Sequence, residues 1–178
     1  MRGWIIALLV ALPVFWALGA AGCSGSDGAR SDGGTPPACL ADWPMPNPPA
    51  TGLPHPQSYD ASLSDLVVDR VTGLSWQRSV APDALDWAAA GAYCANLTLA
   101  GVGGWRLPRV IELVSIVDFS RTMPAIDPDA FPGTPSSPFW TSQTDVTNTG
   151  LAWYVYFSNG GAYGGNDVVD AQRVRCVR

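Results

Sequence analysis

The chain of 178 residues contains no lysine; its ten basic side chains are all arginine, against fifteen acidic ones, for a formal charge of −5. An acidic chain without a basic run argues against nucleic acid or an anionic membrane surface as the main partner. There is one histidine, His55, in a proline-rich stretch with no cysteine or aspartate at ligand spacing. It reads as a solvated loop residue, which leaves imidazole-based metal sites and catalytic triads without their key group. The sequence has no glycine-serine nucleophile elbow and no phosphate-binding loop, and its four cysteines do not fall at zinc spacings. No internal repeat is visible. The expectation is therefore a protein that is not an enzyme, with no cofactor and no resident metal.

What is present begins with a long apolar run. After Arg2 comes "GWIIALLVALPVFWALGAAGC", with small residues leading into Cys23. A charge, an apolar stretch and small residues, in that order, make a secretory signal over residues 1–22. "LGAAGC" resembles a bacterial lipoprotein processing box with Cys23 as the lipidated residue, although Ala20 stands where leucine is preferred. Ordinary cleavage and an uncleaved anchor are the other readings, since the run just suffices to span a bilayer. All three export the rest of the chain. Ser24, at the next position, favours the outer membrane of a Gram-negative-type cell envelope.

Export makes cysteine pairing meaningful. With Cys23 lipidated, Cys39, Cys94 and Cys176 remain and one is odd; without lipidation, Cys23–Cys39 becomes possible. A bridge between Cys94 and Cys176 would close a loop of about 80 residues, worth on the order of 4–5 kcal/mol in the chain-entropy picture.

Residues 23–38 are rich in Gly, Ser, Asp and Pro and read as a flexible tether. Residues 39–58 are proline-rich but carry Trp43, Met45 and Leu53, and read as a lead-in lying on the domain. The domain itself runs over 59–178. "DLVVD" and "LSWQR" form a hairpin, and "DWAAAGAYCANL" (86–97) is a helix capped by Asp86 with Cys94 facing the core. "LPRVIELVSIVD" (107–118) is a second helix with Pro108 at its first position. The turn-rich loop 120–138 is pinned by Phe131. "FWTSQ", "LAWYVYF", "GAYGG" and "QRVRCV" are strands, with "SNGG" as a hairpin turn. The order is that of an α+β domain with two helices and a mainly antiparallel sheet.

Within "GGWRLPRVIEL" (103–113), Trp105 belongs in the core. Arg106 caps carbonyls or pairs with Glu112, which sits in the helix's first turn. The stretch has no nucleophile or second acid, so it reads as structural. Asn166, Asp167 and Asp170 are oxygen donors in a loop before the last strand and make a candidate calcium set, short of the six to eight ligands the ion takes. The eight tryptophans modestly favour a binding module. By alternation Trp153, Val155 and Phe157 share one face, and Tyr154 and Tyr156 the other. An exposed face of Tyr154, Tyr156 and Tyr163, with Asn166, Asp167, Arg173 and Arg175 near it, is the candidate ligand-binding surface.

"VTGLSWQR", "DWAAAGAYCANL", "GGWRLPRVIELVSIVD", "FWTSQ", "AWYVYFSNGG" and "VRCVR" come in the order and spacing of the Lcl C-terminal domain family, which residues 60–178 resemble. The resemblance implies a C-type-lectin-like fold and a bridge between Cys94 and Cys176. A distant likeness to formylglycine-generating-type domains rests on "RLP" followed by a helix with a glutamate; a reactive cysteine pair is missing here. One family member, a collagen-like adhesin, binds sulfated polysaccharide and forms trimers. This chain departs from it: there is no collagen-like repeat and no lysine, and Arg109 stands where the family often has threonine. The resemblance implies an exported, lipid-anchored binding or adhesion protein whose partner is an extracellular glycan or protein. The alternative is an envelope assembly component that oligomerises or docks another protein. In either reading the membrane is met only through the N-terminal lipid or anchor.

Overall fold

A computed structural model describes residues 44–178; Cys23, Cys39, Trp43, the signal and the tether lie outside the described residues. Two three-stranded antiparallel sheets and two helices make up the domain. The first sheet is ordered β1 (Tyr59–Asp60), β2 (Leu66–Asp69), β3 (Ser75–Gln77). The second is ordered β4 (Pro138–Thr144), β5 (Leu151–Tyr156), β6 (Gly161–Asp167). Between them in the chain come α1 (Trp87–Asn96) and α2 (Val110–Ser115). The arrangement is α+β, as the order of sequence patterns suggests.

Local chemistry explains most of these elements. In the β2–β3 hairpin, Asp69 holds the turn by accepting from Val71 N at 2.9 Å and from the Thr72 hydroxyl at 2.7 Å. Asp86 caps α1 by accepting from Ala89 N at 2.8 Å. Helix α2 is shorter than its apolar pattern predicts. Its N-cap is Arg109 in an extended conformation, so Pro108 precedes the helix instead of opening it. The cause is side-chain competition at the start. Glu112 accepts from Arg109 N at 2.7 Å, and Gln143 of β4 accepts from Val110 N at 2.8 Å. Both satisfy amides that a longer helix would leave free. At the other end, Val117 N turns back to Val114 O at 3.0 Å, and Ile116 and Val117 enter the core outside the helix.

The last segment, expected as a strand over 172–177, is extended but joins its neighbours by single bridges. Ser75 and Arg178 exchange two bonds of 2.9 Å, and so do Arg106 and Val177. Trp140 N donates to Arg173 O at 3.0 Å, and Arg173 N to Pro138 O at 3.1 Å. This segment therefore lies between β3 and β4 and joins the two sheets. Covered on both faces, Val174, Arg175, Cys176 and Val177 are all buried.

Alternation along that segment feeds two apolar cores. Val177 joins Val67, Trp76, Leu113, Phe131, Phe139, Val155 and Phe157 in the first. Val174 and Cys176 join Ala90, Cys94, Trp105, Trp140 and Ala152 in the second. Phe131 is fully buried, the role its place in the long loop suggests. In the second core Cys94 of α1 is bonded to Cys176, with Cα atoms 5.5 Å apart. Helix α1 buries only Ala90 and Cys94. So little apolar surface holds a helix weakly, and the covalent link supplies the difference. In the lead-in, Pro46 and Pro48 are buried, and Gln57 donates to Val117 O at 2.8 Å.

Candidate functional site

The exposed face of α1 carries Ala88, Gly91, Ala92 and Ala95, positions that recur on one side of a helix. Side chains this small leave space above the backbone. Trp87, Trp105, Arg106, Leu107 and Arg109 border that space. The result is an open groove of about 550 Å³ with a mainly apolar lining.

The walls are set from inside. Trp87 donates its indole N–H to Thr141 O at 2.8 Å, and Trp105 donates its own to Val102 O at 2.8 Å. Both rings are thus oriented by bonds that leave only carbon surface for the groove. Arg106 meets Glu112, the chain's single glutamate, through two bonds of 2.7 Å, and gives Leu107 O a third at 3.2 Å. Burial alone would raise the Glu112 pKa. The Arg106 bonds and the Arg109 N–H outweigh it and hold the carboxyl below its ordinary value. The same pairing pushes Arg106 up. Glu112 is thereby a fixed carboxylate with no proton to exchange near neutrality. Arg109 is exposed, and its guanidinium has no salt bridge among the described residues. It is the uncommitted charge at the groove.

The sequence-predicted surface is placed differently. Tyr154 and Tyr163 sit opposite each other on β5 and β6 and stack with centroids 5.6 Å apart. Tyr163 accepts from Asn159 Nδ2 at 3.0 Å and is 41% exposed; Tyr154 and Tyr156 are half-buried. A Cβ on Gly161 would come within 2.5 Å of the Tyr163 hydroxyl, so glycine is what lets this ring lie down on its own strand. Trp153 likewise covers Gly164. The aromatics of the hairpin are mostly used in packing: Val155 and Phe157 enter the first core, and Tyr154 packs on the second.

Arg173 and Arg175 do not join the tyrosines. Arg173 pairs with Phe139 of β4, with β4 and β5 between it and Tyr163, and lines a second cavity of about 430 Å³ with Val80, Pro132 and Pro135. The expected exposed arginine pair is corrected at Arg175, which has no exposed surface because its segment is covered on both sides. Asn166 is half-buried at the end of β6. Asp167 accepts from Val169 N at 3.2 Å and, through its carbonyl, from Asp170 N at 3.0 Å, so Asp167 and Asp170 build the turn that follows β6. Among the described residues no group of three or more His, Cys, Asp or Glu is placed to hold a metal ion. No helix of the described residues is long and apolar enough to cross a membrane.

Trp105 is core, as the sequence suggested, while the groove bordered by it and Trp87 was overlooked. The available signal was the small-residue spacing opposite Ala90 and Cys94. The family model of the Lcl C-terminal domain matches residues 65–178, more than half of the chain, and the chain belongs to that family. No curated protein matches it.

Proposed function

Taking membership of the Lcl C-terminal domain family as the premise, we propose that this is an exported cell-envelope lipoprotein, anchored through Cys23. Its domain is C-type-lectin-like and serves binding or adhesion without catalysis. The helix-to-terminus disulfide, the two helices and the antiparallel sheets support the lectin-like reading. The observation that carries the binding reading is the groove between Trp87 and Trp105. The half-buried Trp87 offers an indole face that suits the C–H face of a sugar ring, with the buried Trp105 beneath it as apolar support, and Arg109 supplies donors for hydroxyl or acidic substituents. The ligand class is an extracellular glycan. Binding is favoured over catalysis because Glu112, the buried acid beside the groove, is neutralised by Arg106.

The test is glycan-array binding of the chain against its Ala92→Phe variant, with and without Ca²⁺. Ala92 is exposed, so a phenyl group there fills the groove at a stability cost within about 0.5 kcal/mol. At least a tenfold loss of binding is expected, with no calcium dependence. Unchanged binding moves the site elsewhere on the domain. The bare stripe of Ala88, Ala92 and Ala95 favours a second reading, an assembly component that receives a helix of another subunit. In that case Ala92→Phe alters the oligomer on sizing and no glycan binds.

A further inference from the structure

Two turns meet at one end of the second sheet, and both present apolar side chains to solvent. A Cβ on Gly160, in the turn between β5 and β6, would touch Val117 and come within 3.2 Å of the Phe119 ring, so these residues lie against that turn. Met123 N donates to Ser158 O of the same turn at 3.0 Å. Asn159, also in it, donates to the Tyr163 hydroxyl at 3.0 Å. Phe119 is 61% exposed, Met123 74% and Tyr163 41%. Met123 has a φ of 51°, a left-handed conformation that suits glycine or asparagine better than a long apolar residue. Packing does not explain why that side chain stands there.

The same end receives the chain from its N-terminal side. Asn47 N donates to His55 O and Gln57 N to Asn47 O, both at 2.8 Å. Gln57 Nε2 reaches Val117 O, also at 2.8 Å. The start of the lead-in, where residues 24–43 join the domain, is thereby fixed beside Val117 and the β5–β6 turn. Charge is divided along the sheet. Residues 119–123 and 157–163 contain no acid, and their one cation, Arg121, is paired with Asp118 at 2.8 Å. At the opposite end, where Thr144 faces Ala152 and Leu151 faces Asp167, stand Asp145, Asp167 and Asp170.

Exposed apolar clusters mark surfaces that meet protein or lipid. Neither cavity described above is lined by these residues. They project from two turns instead of framing a cleft for a partner's side chain. A phenyl, a thioether and a phenol around an arginine suit a bilayer interface: the apolar carbons enter the acyl boundary, and the phenol and guanidinium stay among the headgroups. The three aspartates, which lipid phosphates repel, lie at the far end.

We infer that Phe119, Met123 and Tyr163 dip into the surface of the membrane that holds the Cys23 lipid. The inference rests on the lipoprotein reading and adds a second membrane contact to the lipid itself. It also orients the domain. The groove is lined by Ser142, toward the Thr144 end of β4, and so stays open on the side away from the bilayer.

The experiment reconstitutes the full lipidated chain in phosphatidylcholine vesicles containing a lipid with a diazirine in its upper acyl chain, and maps photo-crosslinks by mass spectrometry. Crosslinks are expected at 119–123 and 159–163 and not at 145–148 or 167–170. Phe119→Ser combined with Met123→Ser, both at exposed positions that the fold tolerates, lowers them severalfold while the chain still floats with the vesicles. Flotation with crosslinks only near Cys23, or spread equally over both ends of the sheet, overturns the inference and leaves the anchor standing. A chain that does not float removes the anchor and the inference together. A dimer that the double variant dissolves, with no crosslinks at 119–123, gives the patch to a second copy of the chain and overturns the inference as well.

Discussion

Two faces of this domain carry aromatic side chains, and they use them oppositely. On the β5–β6 hairpin, Trp153 lies over Gly164, Tyr163 over Gly161, and Tyr154 against Tyr163. The glycines make room, and the rings fill it. On the helical face, Trp87 and Trp105 stand apart with Ala88, Gly91, Ala92 and Ala95 between them, and the room stays empty. Aromatic content therefore does not mark a binding face. What distinguishes the two is whether the small residues lie beneath the rings or between them.

The comparison can be broken most strongly at the disulfide. Cys94→Ala with Cys176→Ala frees α1 from the terminal segment. A loss of about 4 kcal/mol is expected from the chain-entropy picture, read by denaturant unfolding. Hydrogen exchange should rise first in α1 and leave β5–β6 protected. Equal loosening of both faces would remove the distinction.

Glu112→Gln comes next. It removes the charge that fixes Arg106 and weakens the bond to Arg109 N. Because Arg106 is half exposed, with a side-chain exposure of 47%, the cost is about 2 kcal/mol, below that of a fully buried pair. The folded-state pKa of Glu112 is depressed, so its contribution is complete above the unfolded value near 4.5 and is lost as pH falls through the lower folded value. Unfolding free energy measured between pH 6 and pH 2 should fall less in the variant than in the wild type. Parallel curves would mean that the pair contributes nothing.

The smallest effect is expected at Tyr163→Ala. Its ring is partly exposed and stacks on one neighbour, so the cost is about 1 kcal/mol. Glycan binding should be untouched. A loss of binding there, with Ala92→Phe silent, would return the site to the hairpin.

Much of the fold was legible because its signals are local. Asp86 before an alanine-rich run starts α1, and the Asp69–Thr72 turn closes a hairpin between alternating strands. Val155 and Phe157, expected to share a face, are both core in the same cluster. The expected Arg106–Glu112 pair is present. Helix α2 was overextended because its apolar pattern continues through Val117. The helix bounds are decided by Glu112 and Gln143 at its start and by the core contacts of Ile116 and Val117 at its end.

The sequence by itself determined the family, the order of elements and, through the resemblance, the Cys94–Cys176 bridge. Only the tertiary structure decided which polar and aromatic residues face outward. Alternation places Arg173 and Arg175 on the same side of an extended segment, but not whether that side meets solvent. The terminal segment lies between two sheets, so Arg175 is enclosed among aromatic rings. The groove escaped notice for the converse reason. Alanine and glycine are equally at home in a tight contact and on a bare surface, and only the walls, Trp87 held by distant Thr141 and Trp105 by nearby Val102, turn their face into a groove.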